Sequence, residues 1–249
     1  MVRQRVEHDW TRVQPVTEHD PSARLAHLLR PIAWILLDFD GPVCSVFAGY
    51  PAPTVAAELR DWIAHEANQL PRLSDDPHDV LRQAAEVSGD LARQVEARLR
   101  TAEIHAAATA EPTPGADAFL AACQATGRPV AIVSNNTADA IRAYLDRTGL
   151  AHLVAHVEGR DRHDASLMKP HPHALNASIQ ALGASPSKSA LIGDSTSDMH
   201  AATAAGVLPI GYANKPGKRE RLTAAGAATI TEHMADLAAA LTDHDSLPN

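Results

Sequence analysis

Ala33-Trp34-Ile35-Leu36-Leu37-Asp38-Phe39-Asp40-Gly41-Pro42-Val43 is an apolar run that stops abruptly in two carboxylates on alternate positions, then a glycine and a proline. The pattern predicts a buried parallel strand with its polar groups at the carboxyl end. In open α/β sheets, ligands and catalytic groups gather at that end. An extended chain alternates its side chains, so Asp38 and Asp40 point to one side. Like charges held this close repel unless a cation lies between them or one carries a proton. Alone, Asp-x-Asp is a weak signal, and a polar turn that closes a strand is the plainer reading.

Working outward, residues 44–53 contain Gly49, Pro51 and Pro53 and continue neither strand nor helix. From about residue 54 to 107 there is no strand-like run, and apolar residues fall at helical spacing. Val55, Leu59, Trp62 and Ile63 make one face. Val80, Leu81, Ala84 and Val87 make a second, ended by Gly89. Leu91, Val95, Leu99 and Ile104 make a third. The Pro/Gly-rich stretch 111–115 closes this helical insert.

A unit of helix, glycine and apolar strand then recurs. Helices are expected at 116–126, 137–148, 172–182, 197–205 and 218–225, each followed by a glycine: Gly127, Gly149, Gly183, Gly206 and Gly226. The strands that follow fall at 129–133, 153–157, 189–192, 207–211 and 228–231, with a last helix over 233–241. Such alternation means crossover units and a parallel sheet. The expected organisation is a polar N-terminal extension over 1–30 with a weakly helical end at 22–29, a Rossmann-like α/β core over 31–44 and 112–249, and a helical insert over 45–111, acting as a mobile lid. The last residues, 242–249, are polar and expected to fray.

Three further strand ends carry chemistry. Ser134-Asn135-Asn136 follows an apolar strand and precedes a helix, an arrangement suited to an anion; capping of that helix is the plainer reading. Lys169 stands before Pro170 and is one of only four lysines. Beside carboxylates it would neutralise charge developing on a phosphoryl group, although a lysine is usually solvated. Gly193-Asp194-Ser-Thr-Ser-Asp198 ends another strand in two acids able to bind a hard cation through oxygen; helix capping again competes. Separately each plain reading suffices. Together, four ends of one sheet carrying acids, a hydroxyl and a lysine make a site.

In composition and order this set resembles the haloacid dehalogenase superfamily, whose four motifs fall on Asp38-Phe-Asp40-Gly41, Ser134, Lys169-Pro170, and Gly193-Asp194 with Asp198. The resemblance spans residues 33–240, includes 169–172 (Lys-Pro-His-Pro) and 204–207 (Ala-Ala-Gly-Val), and points to phosphoglycolate phosphatases with a helical cap. It implies that Asp38 is the nucleophile, forming an aspartyl-phosphate, and that Asp40 is the acid and then the base. It implies Mg²⁺ held by Asp38, the Asp40 carbonyl, Asp194 and Asp198. Gly41, Ser134, Asn135 and Lys169 would bind the phosphoryl oxygens. Dehalogenase members lack a carboxylate two residues after the nucleophile, and phosphonatases use a cap lysine; this chain has Asp40 and no lysine between Ser45 and Glu111. The expected activity is therefore a phosphomonoester phosphatase for a small phosphorylated metabolite. A phosphotransferase or phosphosugar mutase, and a catalytically idle binding protein, are the alternatives. Pro42 departs from the threonine or valine common in the family and removes an N–H near the expected phosphate.

The remaining features exclude more than they assign. A formal net charge of −8 argues against nucleic acid or an anionic membrane as partner. No stretch approaches the roughly 20 apolar residues of a membrane span. Cys44 and Cys123 read as free thiols of a reducing cytoplasm. The fourteen histidines show no zinc spacing, and there is no dinucleotide or phosphate-loop glycine fingerprint. Substrate contacts are expected from the insert through groups such as Tyr50, Arg60, Arg72 and Arg82, in a monomer or homodimer.

Overall fold

Strand β1 (Trp34–Leu37) lies inside a six-stranded sheet in which every pairing is parallel. The computed structural model describes residues 21–67 and 72–242. After α1 (Pro21–Leu29) and β1, the chain runs through β2 (Cys44–Ser45), α2 (Ala52–Ala67), α3 (Pro77–Val87), α4 (Gly89–Thr109) and β3 (Glu111–Pro112). It continues through α5 (Ala116–Ala125), β4 (Val130–Val133), α6 (Ala138–Thr148), β5 (His156–Glu158), α7 (His173–Ala181) and β6 (Ser189–Gly193). The last elements are α8 (Thr196–Ala205), β7 (Leu208–Tyr212), α9 (Lys218–Ala224), β8 (Thr229–Thr231) and α10 (Met234–Thr242). Sheet order is β5-β4-β1-β6-β7-β8. The chain leaves β1 toward β4 on one side and returns to β6 on the other, and such a reversal opens a crevice at the carboxyl edge.

The period-two reading of β1 holds in the packing. Ile35, Leu37 and Phe39 enter the main core with Leu29, Phe119, Leu120, Ile141, Tyr144 and Leu237. Leu36 faces the opposite layer, with Leu175, Ile179, Ala201 and Ala202 of α7 and α8. Each such burial stabilises by about 1.5–3 kcal/mol, which fixes the register and so the face on which Asp38 emerges. Cys44 and Cys123 are free and buried.

Of the expected N-terminal extension, residues 1–20 lie outside the described residues. Its remainder is α1, which buries Leu25, Leu28 and Leu29 in the main core and packs on α10. That stretch is core, because three leucines at helical spacing find an apolar neighbour. Expected fraying beyond Thr242 likewise falls outside the described residues. β5 starts later than expected because Ala151–Leu153 winds into a 3₁₀ turn.

Helices α2, α3 and α4 share a second apolar cluster, including Val55, Leu59, Ile63, Val80, Leu81, Val95 and Leu99, which Ala165 and Met168 join from the segment before Lys169. Val87 and Ile104 are exposed instead of facing it, at 50% and 37%. One turn after Leu99 the inward position belongs to Glu103, which is fully buried. Ser88 rather than Gly89 separates α3 from α4, and its hydroxyl caps α4 by accepting the Leu91 N–H. Ala106, Ala107 and Ala110 at the end of α4 already sit in the main core. The compositional break at residue 111 thus falls after the chain has rejoined the sheet layer. β2 and β3 pair antiparallel, so the two connections to the insert run side by side.

Candidate active site

Asp38 follows β1 directly, and its N–H donates to Ile192 O at 2.9 Å, extending the pairing with β6. Asp38 Oδ1 accepts the Phe39 N–H at 2.8 Å and the Lys169 ammonium at 2.7 Å. The same ammonium donates to Val133 O at 3.0 Å and lies 2.6 Å from Asp198 Oδ1. Asp38, Asp194 and Asp198 each place a carboxylate oxygen within 4.8 Å of the others. Asp198 also closes a capping box on α8: its Oδ2 accepts the Ser195 N–H at 3.0 Å, while Ser195 Oγ accepts its N–H at 3.2 Å. The capping reading therefore holds for Asp198 through Oδ2, while Oδ1 faces the Lys169 ammonium.

Glycines make room for this convergence. Gly41 has φ +112°, and a Cβ there would collide with the Asp194 carboxyl. A Cβ on Gly193 would collide with the side chain of Asp198. Gly41 N–H donates to Cys44 O at 2.7 Å and its carbonyl accepts the Thr113 hydroxyl at 2.5 Å. Its backbone is thus committed within the fold, and what it contributes to the site is space.

Asp40 Oδ1 accepts the Val46 N–H at 3.0 Å. Ser134 is buried; its hydroxyl donates to Asn136 Oδ1 and accepts the Asn136 N–H, both at 3.1 Å. Asn135 turns its side chain to Lys169, accepting that residue's N–H at 2.8 Å and donating to its carbonyl at 3.3 Å. Among the described residues, the Asn135 and Asp40 N–H groups donate to no acceptor. Of the insert groups expected to meet a substrate, only Arg82 reaches this region, donating to Lys169 O at 3.2 Å. Tyr50 donates to Glu58, Arg60 to Ser74 O and Arg72 to Glu86, all within the insert or its connections.

A model of the haloacid dehalogenase-like hydrolases matches residues 21–206, well over half of the chain. The chain belongs to that family. A phosphoglycolate phosphatase of Rhodospirillum rubrum is 33% identical over 124 residues, half of each chain. One from Yersinia pseudotuberculosis is 30% identical over 128 residues, 51% of this chain and 54% of the relative. The match thus spans about half the length of these curated relatives. A hydrolase structure from Pseudomonas syringae superposes with a TM-score of 0.65, covering 87% of this chain and all of that one at 21% identity, a likeness of fold.

In this haloacid dehalogenase-like site, three carboxylates face two ammonium groups, because Lys218 of α9 pairs with Asp194. One formal negative charge is left over in a buried place. Burial pushes the Asp38 carboxyl up to about 8, helped by the Asp198 charge and opposed by Lys169. Burial likewise raises Asp194 to about 6 against the pull of Lys218, and raises Asp40 against the Val46 hydrogen bond. Burial works against the Lys169 charge, but Asp198 and Asp38 outweigh it and hold the ammonium well above its usual range. An all-oxygen donor set with excess negative charge suits a hard divalent cation. Asp198 Oδ1, buried beside the Lys169 ammonium, is one oxygen that such an ion would share.

Reading by motif missed Lys218, Thr113 and the buried pair Glu103–Arg160. Only the scarcity of lysines marked Lys218, and a charged residue at an inward helical position marked Glu103.

Proposed function

We propose that this chain is a Mg²⁺-dependent phosphomonoester phosphatase acting on a small phosphorylated metabolite through an aspartyl-phosphate. One observation carries the reading: both donors to Asp38 use Oδ1, which leaves Oδ2 free in a cluster with Lys169, Asp194 and Asp198. Asp38, Asp194, Asp198 and the Asp40 carbonyl would hold the ion. When bound, Mg²⁺ supplies positive charge against the phosphoryl oxygens.

In the proposed reaction Asp38 Oδ2 attacks phosphorus and the ester P–O bond breaks. Asp40, whose carboxyl burial raises above its ordinary range, gives its proton to the leaving alkoxide. Asp40 then takes a proton from water as that oxygen attacks the aspartyl-phosphate; the P–O bond to Asp38 breaks and both carboxyls return to their starting states. Lys169, the Ser134 hydroxyl and the Asn135 and Asp40 N–H groups hold the phosphoryl oxygens throughout. Domain limits near 45 and 111 would make α2–α4 a cap over this edge, setting substrate choice.

The test is release of inorganic phosphate from a panel of small esters, phosphoglycolate first because the curated relatives carry that name. Release with Mg²⁺ that is lost with chelator and in Asp38→Asn is the expected result. Release undiminished in Asp38→Asn would overturn the assignment of the nucleophile.

A further inference from the structure

We propose that Glu103, on helix α4 of the insert, is a positioning residue for the Ser134 loop, acting through the side-chain amide of Asn136. The inference rests on the phosphatase reading above and adds a residue that lies behind the site instead of in it.

Glu103 has no exposed surface, and its carboxylate gathers donors from three elements. Oε1 accepts from Asn136 Nδ2 at 3.2 Å and from Arg160 Nη1 at 2.6 Å, with His78 Nε2 at 3.1 Å. Oε2 accepts the Thr137 N–H at 2.9 Å. Arg160 grips the same loop a second way: its N–H donates to Asn136 O at 3.0 Å and its Nη1 to Asn135 O at 3.1 Å. Gly159 lets that strand end come close, since a Cβ there would collide with Asn136 O and Ala138 N.

An ionised carboxylate has no proton, so it can face only the amide nitrogen of Asn136. That choice leaves Asn136 Oδ1 on the other side, where it accepts the Ser134 hydroxyl. Glu103 therefore sets which end of the Asn136 amide meets Ser134, and with it the direction of the Ser134 O–H. A glutamine at 103 keeps its oxygen where Asn136, Arg160 and His78 donate, and so turns its amide nitrogen against the Thr137 N–H. Donor then faces donor at the start of α6, and the loop that aligns the Asn136 amide and the Ser134 hydroxyl shifts.

A residue that merely ties α4 to the core would act on stability alone. Glu96 is the built-in comparison: it also pairs with Arg160, at 3.3 Å, and touches no group of the loop. The experiment measures kcat and KM for the best ester, the inhibition constant of inorganic phosphate, and melting temperature. The proteins are wild type, Glu103→Gln, Asn136→Ala, the double variant and Glu96→Gln. The expected result is an increase of about tenfold in KM and in the phosphate constant for each single loop variant, the scale of one hydrogen bond. The double variant is expected to be no worse than the poorer single, because the two act in series. Glu96→Gln is expected to stay within about twofold in both constants at a similar loss of melting temperature. Additive losses in the double variant, or unchanged constants in Glu103→Gln, overturn the proposal while leaving the phosphatase reading in place. A wild type that releases no phosphate from any ester overturns that reading, and this one with it. If Glu103→Gln does not fold, Asn136→Ala with the Glu103–Arg160 pair intact decides: unchanged constants overturn the relay and the tenfold rise supports it.

Discussion

Lys169 and Asp38 stand 131 residues apart in the chain and 2.7 Å apart in space, with Asp198 on the other side of the same ammonium. Lys169→Met is therefore expected to leave two buried carboxylates facing each other. Turnover would fall by roughly 10²–10³, the usual cost of losing one charge-stabilising donor. A melting curve checks the companion effect, a loss of stability of about 3–5 kcal/mol at neutral pH. Full activity in the variant would remove Lys169 from the phosphoryl site.

Gly41→Ala tests the packing of the Asp38–Asp40 loop. Its φ of +112° and the Asp194 carboxyl in the place of a Cβ both resist any side chain. A stability loss of roughly 1–3 kcal/mol is expected for the backbone alone, together with weaker metal binding as Asp194 moves. Gly127→Ala, at a positive φ with nothing near its Cβ, is expected to show the backbone cost without the metal effect.

Metal binding is also readable without turnover. Mg²⁺ at a hundred times its dissociation constant is expected to stabilise the folded chain by about 2.7 kcal/mol. Asp194→Asn would remove most of that gain, whereas Asp90→Asn, exposed on α4, would keep it. No gain in the wild type would sink the assignment of a divalent cation.

His78 provides a pH test. Burial opposes its charge, but hydrogen bonds to Asp76 and Glu103 raise it to about 9. The folded value lies above the unfolded value of about 6.5, so the stabilisation is complete below that pH and lost as pH rises through 9. Its full size is roughly 3 kcal/mol. Denaturant unfolding of His78→Gln is expected to show a flatter dependence between these limits than the wild type. Parallel curves would contradict it.

The sheet was legible because β1, β4 and β6 are apolar runs buried on both faces, with a glycine closing helices such as α6 and α8. Chemistry at their ends was legible for the same reason: polar residues next to buried strands are few. What stayed hidden depends on contacts distant in sequence. α1 looked like a polar extension because its three leucines acquire meaning only against α10. Glu103 went unread, since the inward face of α4 was continued from Leu99 to Ile104 instead. Its partners Asn136 and Arg160 lie 33 and 57 residues on. Arg82, expected to face a substrate, meets the Lys169 carbonyl and Asp79.

The pairing of Cys44 with Pro112 means that the sixty-odd residues between them leave and return at one point in space. A segment so attached is a cassette: exchanging it, or trimming it to a tight turn, need not alter the path of the sheet. In this chain that freedom stops short of the last turns of α4, where Ala106, Ala107 and Ala110 are built into the common scaffold.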